Sequence, residues 1–167
     1  MGSFKVQFEK TTLAMVRKAA GSGEITHQGD ASESINWLCY TIQDQTRYER
    51  IWIISGEMGG SEHAVTQVSA QVIQKTEVSP DCPVLPATLQ PLAFDKGVWL
   101  GMQTGQALNA LGRPSHQEDP WWIFRYQGKI KEPENCEPEG FDVINWFMFE
   151  TQNGRLFRIH VGQVSSC

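Results

Sequence analysis

Apolar residues crowd or alternate in short runs along this chain, over residues 34–43, 48–57, 63–75, 120–130, 141–150 and 155–164. Runs of that length, rich in Ile, Val, Trp, Phe and Thr, predict β-strands. Gln152-Asn153-Gly154 joins the last two. Asn-Gly between apolar runs signals a tight hairpin, because both residues tolerate positive φ. Two stretches change to a helical period. In residues 11–23, Leu13, Val16 and Ala20 follow a Thr and stop at Gly21. In "LGMQTGQALNALGRPS", residues 100–115, Thr104 is the expected N-cap of a helix carrying Ala107, Leu108 and Leu111, and Gly112 with Pro114 ends it.

Helix then three strands therefore occurs twice. Trp52 stands eight residues before Gly60, and Trp146 eight before Gly154. Gly21 and Gly112 end the two helices, Trp37 and Trp122 open the first strands, and Cys82 and Cys167 close the halves. This order predicts an α+β fold of two tandem units, each a short helix packed on a small antiparallel sheet. The first unit covers residues 1–75 and the second 98–167. Residues 76–97, with Pro80, Pro83, Pro86 and Pro91, form a stiffened linker. Pairing within units gives Cys39–Cys82 and Cys136–Cys167, one of the three connectivities that four cysteines allow.

Several strands are apolar on both faces, which a sheet with one solvated face does not need. Trp121 and Ile123 alternate with Trp122, Phe124 and Tyr126, and Trp146 and Met148 alternate with Phe147 and Phe149. One short helix per unit cannot cover both faces, so the surplus meets the other unit or a partner. Rigid aromatic side chains are the usual material of protein interfaces. The candidate partner-binding residues are Trp37, Tyr40, Trp52, Trp121, Trp122, Tyr126 and Trp146, with Glu57 and Met58 in an inserted turn over residues 57–63.

Composition narrows the class. With 40% hydrophobic and 20% charged residues the chain can build a packed core. The net charge of −5, without a basic cluster, speaks against nucleic acid as partner. No run reaches the roughly 20 apolar residues of a membrane span. Four well-separated cysteines without a Cys-x-x-Cys pair suit disulfides in an exported protein better than zinc. Met1-Gly2-Ser3 reads as a replaced start where a signal peptide ended. Candidate chemistry is thin. His27 with Asp30 lacks a third member, His116 with Glu118 and Asp119 reads as a solvated acidic turn, and His160 belongs to the polar side of a strand. "SGEMGG", residues 55–60, has neither the Lys nor the following helix of a phosphate cradle. No catalytic set, cofactor or metal is expected.

The helix "LGMQTGQALNALGRPS", the strand "WWIFRY" and the hairpin "FMFETQNGRLFRI" together resemble a pattern of small exported bacterial domains. Two groups share it: the small lipoproteins of the outer-membrane barrel-assembly machinery, and the β-lactamase inhibitory proteins, in which the unit occurs in tandem. The chain departs from the pattern in Thr104-Gly105-Gln106-Ala107-Leu108, where the family helix has Thr-x-x-Glu/Asp-Val, and in lacking a lipobox cysteine. The inhibitors' contact loops have no counterpart, so β-lactamase is not carried over as target. The resemblance implies a helix-covered sheet whose other face or loops bind a protein. The expected function is a periplasmic or secreted inhibitor or immunity-type protein that binds an exported enzyme; the alternative is an outer-membrane assembly or scaffolding factor.

Overall fold

The computed structural model describes residues 4–30, 33–43, 47–130 and 141–166. Helix α1 (Leu13–Ala20) begins at Thr12, whose hydroxyl accepts from the Met15 amide. It ends at Gly21 in the left-handed region (φ 68°), whose N–H donates to the Arg17 carbonyl. Helix α2 (Thr104–Leu111) differs from expectation by one position. Gln103 is its cap residue, Thr104 is already helical, and the buried Thr104 hydroxyl has no hydrogen-bond partner.

The strands are β1 (Thr26–Gln28), β2 (Ile35–Gln43), β3 (Tyr48–Ser55), β4 (Gln67–Ile73), β5 (His116–Glu118), β6 (Trp121–Ile130), β7 (Phe141–Gln152) and β8 (Arg155–Ser166). Asn153 and Gly154 both take positive φ in the β7–β8 turn, as that hairpin type requires. The short strands β1 and β5 were not expected. They are three exposed polar residues each, and they pair antiparallel with the starts of β2 and β6.

The tandem-unit architecture is not what the chain forms. All eight strands belong to one antiparallel sheet, in the order β1-β2-β3-β4-β8-β7-β6-β5. The two halves meet through the β4–β8 ladder, where Val68 faces Val161 and Ala70 faces Ile159. Backbone pairing across this seam satisfies edges that two separate sheets would leave open.

Register then sorts every side chain, since successive residues point to opposite faces. On one face two apolar rows cross the sheet. The first is Leu38–Ile53–Val68–Val161–Phe147–Phe124, and the second is Tyr40–Ile51–Ala70–Ile159–Phe149–Trp122. Both helices pack on these rows through Leu13, Val16, Ala20, Ala107 and Leu111, and all belong to one hydrophobic cluster. The chain between the halves joins it through Leu85, Val98 and Leu100, and the Phe94 ring sits edge-on to Phe147 at 6.0 Å. One core serves the whole sheet.

Two polar ties fasten its periphery. The half-exposed Arg47 pairs with the buried Glu49 carboxylate at 2.5 Å and donates to the Leu100 carbonyl at 2.7 Å. Glu9 accepts from the amide and hydroxyl of Ser165 and from Gln163, holding the N-terminal segment against β8. Cys39 and Cys82 form a disulfide with Cα atoms 4.7 Å apart. It fixes residues 82–85 along the outer edge of β2, where Thr41 exchanges backbone hydrogen bonds with Pro83 and Leu85. Cys136 and Cys167 lie outside the described residues.

Candidate functional site

The opposite face of the sheet carries neither α-helix; at its β2 corner Glu77 and Cys82 are tied to Arg50, Thr41 and Cys39, and the last two are buried. By register its three central rows are Trp37–Ile54–Gln67–Gly162–Trp146–Arg125, then Cys39–Trp52–Ser69–His160–Met148–Ile123, then Thr41–Arg50–Gln71–Arg158–Glu150–Trp121. Trp37, Trp52, Trp121 and Trp146 are half-buried here rather than enclosed. The surplus of apolar residues in the strands is thus concentrated on one uncovered surface.

This surface divides the candidate residues. Tyr40 is fully buried on the helix face, where its hydroxyl donates to the Ser22 carbonyl at 2.8 Å, and burial raises its pKa. Trp122 stacks on Phe149 in the core, at 6.1 Å between centroids. Tyr126 is on the same side, with Lys96 above its ring at 4.9 Å and its hydroxyl bonded to the Leu111 carbonyl. These three are core or helix-side residues and do not join the open face. Trp37 and Trp122, aligned in sequence as strand openers, fall on opposite faces. Glu57 and Met58 occupy a short 3-10 turn after β3, exposed, at the end of the sheet nearest the Trp37–Trp146 row.

Sequence reasoning missed the polar centre of this face. The His160 Nδ1 is 2.6 Å from Ser69 Oγ, and Gln67 donates to that same hydroxyl at 3.3 Å. The Ser69 hydroxyl, which has a second lone pair, either donates to Nδ1 and leaves the ring proton on Nε2 or accepts from Nδ1–H. Burial, with the nearby Arg158 charge second, lowers the His160 pKa, and the ring is neutral at pH 7. Trp121 leans over it at 5.1 Å between centroids. Arg158 donates Nε to Gln71 at 3.1 Å and Nη1 to Glu150 at 3.0 Å, and its guanidinium lies 5.9 Å from the Trp121 ring. Arg50 lies over Trp52 at 5.7 Å and donates to the Glu77 carbonyl. Gly162 completes the arrangement: a Cβ there would come within 2.6 Å of Trp146 Cε2, so the indole packs against β8 only because residue 162 has no side chain.

Between Trp52 and the Arg158–His160 pair lies a shallow depression of about 290 Å³, floored by Ser69, Ala70 and Gln71 and bounded by Ile54. A larger trough of about 600 Å³ runs beside α1, along Arg17, Lys18 and Gly21–Gly23. It has no aromatic wall, and it lies at the C-terminal end of α1, where Arg17 and Lys18 complement the helix dipole. The depression on the sheet is the better-built site.

The remaining candidates stay apart. His27 bonds Asn36 at 3.2 Å rather than Asp30, and His116 and Glu118 form an exposed pair at 3.9 Å on the β5 edge. Among the described residues no His, Cys, Asp and Glu group is placed to hold a metal ion, and no helix is long and apolar enough to cross a membrane. The disulfide fits an oxidising compartment. Comparison of the chain with protein-family models, with curated proteins and with solved structures gives no match.

Proposed function

We propose that the chain is a protein-binding module that docks an exported protein on the uncovered face of its sheet, and that it acts as an inhibitor or immunity-type protein by occluding that partner's working surface. The observation that supports this is the set of four half-exposed tryptophans spread over one face that neither α-helix covers. Trp and Arg are the residues in which interface energy concentrates, and both populate this surface.

Magnitudes say how the face is used. Its three rows cross the six strands β2, β3, β4, β8, β7 and β6, five spacings of about 4.8 Å, and cover about 14 Å along the strands. The patch of roughly 340 Å² is less than half the ~800 Å² that one side of a standard interface buries. The partner therefore also reaches the rim, and the turn holding Glu57 and Met58 is placed to receive it.

A photo-crosslinking residue at Trp52 or Trp121 tests this reading, with Met15 on the exposed side of α1 as control. In envelope extract the two sheet positions are expected to yield one shared adduct that position 15 does not. The captured partner, if an enzyme, is expected to lose activity on titration with the wild-type chain and to keep it with Trp52→Ala/Trp121→Ala. Adducts from position 15 alone, or an unimpaired double variant, would overturn the assignment.

A further inference from the structure

The depression at the centre of the open face has a chemistry of its own. We propose that it is the anchor pocket of this face and accepts one carboxylate side chain, Asp or Glu, from the surface of the partner protein. The inference rests on the docking role proposed above and specifies what enters the site.

Size comes first. About 290 Å³ lies at the lower limit of small-molecule pockets and suits a single side chain. Hydrogen-bonding capacity comes second. The acceptors at the pocket, Gln71 Oε1 and Glu150 Oε2, already receive the Nε–H and an Nη1–H of Arg158. Among the described residues the Arg158 Nη2 hydrogens have no bonded partner, and His160 Nε2–H joins them in the tautomer whose Nδ1 accepts from Ser69. A group that only accepts matches this wall.

Charge comes third. The chain as a whole carries −5, yet Arg158 lines this pocket and Arg50 lies over its Trp52 wall. These two guanidinium groups complement a carboxylate. Trp52 walls the pocket on one side, and a charge-assisted bond beside an apolar wall is stronger than one in open water. Arg158 is also pre-ordered, held by Gln71, Glu150 and the Trp121 ring, so a ligand does not have to immobilise it.

The test needs no partner. N-acetyl-glutamate N-methylamide and its glutamine counterpart are titrated into the folded chain at fixed ionic strength, and the indole N–H signals of Trp52 and Trp121 are followed by NMR. The glutamate probe is expected to shift both signals with an affinity at least about tenfold above that of the glutamine probe, the margin of one charge-assisted hydrogen bond. Arg158→Lys, which keeps the charge and loses the fork, is expected to weaken it severalfold. Because Arg158→Gln alone strands Glu150, the neutral pair Arg158→Gln/Glu150→Gln is used to abolish the preference in a folded protein. Equal binding of the two probes, a preference that survives in the neutral pair, or shifts confined to the α1 trough would overturn the pocket. Such a failure leaves the crosslinking result untouched, so the two proposals fail separately.

Discussion

At the scale of single residues, Gly162 and His160 decide how the open face is built. Gly162→Ala puts a methyl group where the Trp146 indole lies. An extra methyl in a packed site costs about 1–3 kcal/mol, and here it also tilts the ring off the sheet. Thermal unfolding should show the loss of stability, and a changed tryptophan emission spectrum the ring movement; an unchanged spectrum would contradict the stacking. His160 gives a pH dependence. Its pKa is lowered in the fold, chiefly by burial and then by Arg158, so below the ordinary value near 6.5 the unfolded chain takes up the proton first. Stability from this group is therefore complete above about pH 6.5 and is lost as pH falls toward the folded pKa. The groups facing it are Ser69 on β4, Met148 and the Arg158-paired Glu150 on β7, Trp121 on β6 and Arg158 on β8. Denaturant unfolding between pH 7.5 and 5.5 is expected to show a smaller decline for His160→Gln than for the wild type.

At the scale of elements, the Cys39–Cys82 link does for the β2 edge what a neighbouring strand would do. Among the described residues, that edge beyond β1 has residues 83–85 for company, paired at Thr41. The cross-link closes 43 residues, for which loop-closure entropy gives about 4 kcal/mol. Cys39→Ser/Cys82→Ser should lower the unfolding free energy by about 2–4 kcal/mol, measured by denaturant titration under oxidising conditions. No measurable loss would mean that residues 76–86 hold the edge without it. The long strands and both helices were legible because their signals are local: Thr12 before an apolar stripe, Gly21 and Gly112 after one, Asn153-Gly154 between two runs. Strands β1 and β5 were not, because Thr26–Gln28 and His116–Glu118 are polar on both faces and gain strand geometry only by pairing. The site was half legible for a related reason. Trp121 and Trp122 are chemically alike neighbours, and only register places one on the open face and the other in the core. The same alternation that buries Ile159 and Val161 puts Arg158, His160 and Gly162 opposite them, on the face of Trp146.

At the scale of the whole molecule, the fold turns on a pairing that no turn encodes. Strands β4 and β8 are far apart in sequence, and nothing between them marks the ladder that joins Val68 to Val161 and Ala70 to Ile159. Local reading therefore found helix-then-strand order in each half and could not tell two sheets from one. The physical consequence is cooperativity. Separating residues 1–97 from 98–167 would bare the β4 edge, strip the partners of the buried Val68 and Ala70, and break two polar ties, Glu9 to Gln163 and Ser165, and Arg47 to the Leu100 carbonyl. Arg47 loses the carbonyl that holds its guanidinium beside the buried Glu49 carboxylate, a charge-assisted bond worth about 1.5–3 kcal/mol. Against a total stability of about 5–15 kcal/mol, those losses exceed what half a sheet can bear. The intact chain is expected to unfold in one transition, with far-UV and near-UV circular dichroism and tryptophan emission changing together. Residues 1–97 alone are expected to show no near-UV signal and no cooperative melt, and to regain both on mixing with residues 98–167. Two separate transitions in the intact chain, or a fragment that melts cooperatively by itself, would mean that the seam between β4 and β8 is a contact between independent domains rather than the centre of one sheet.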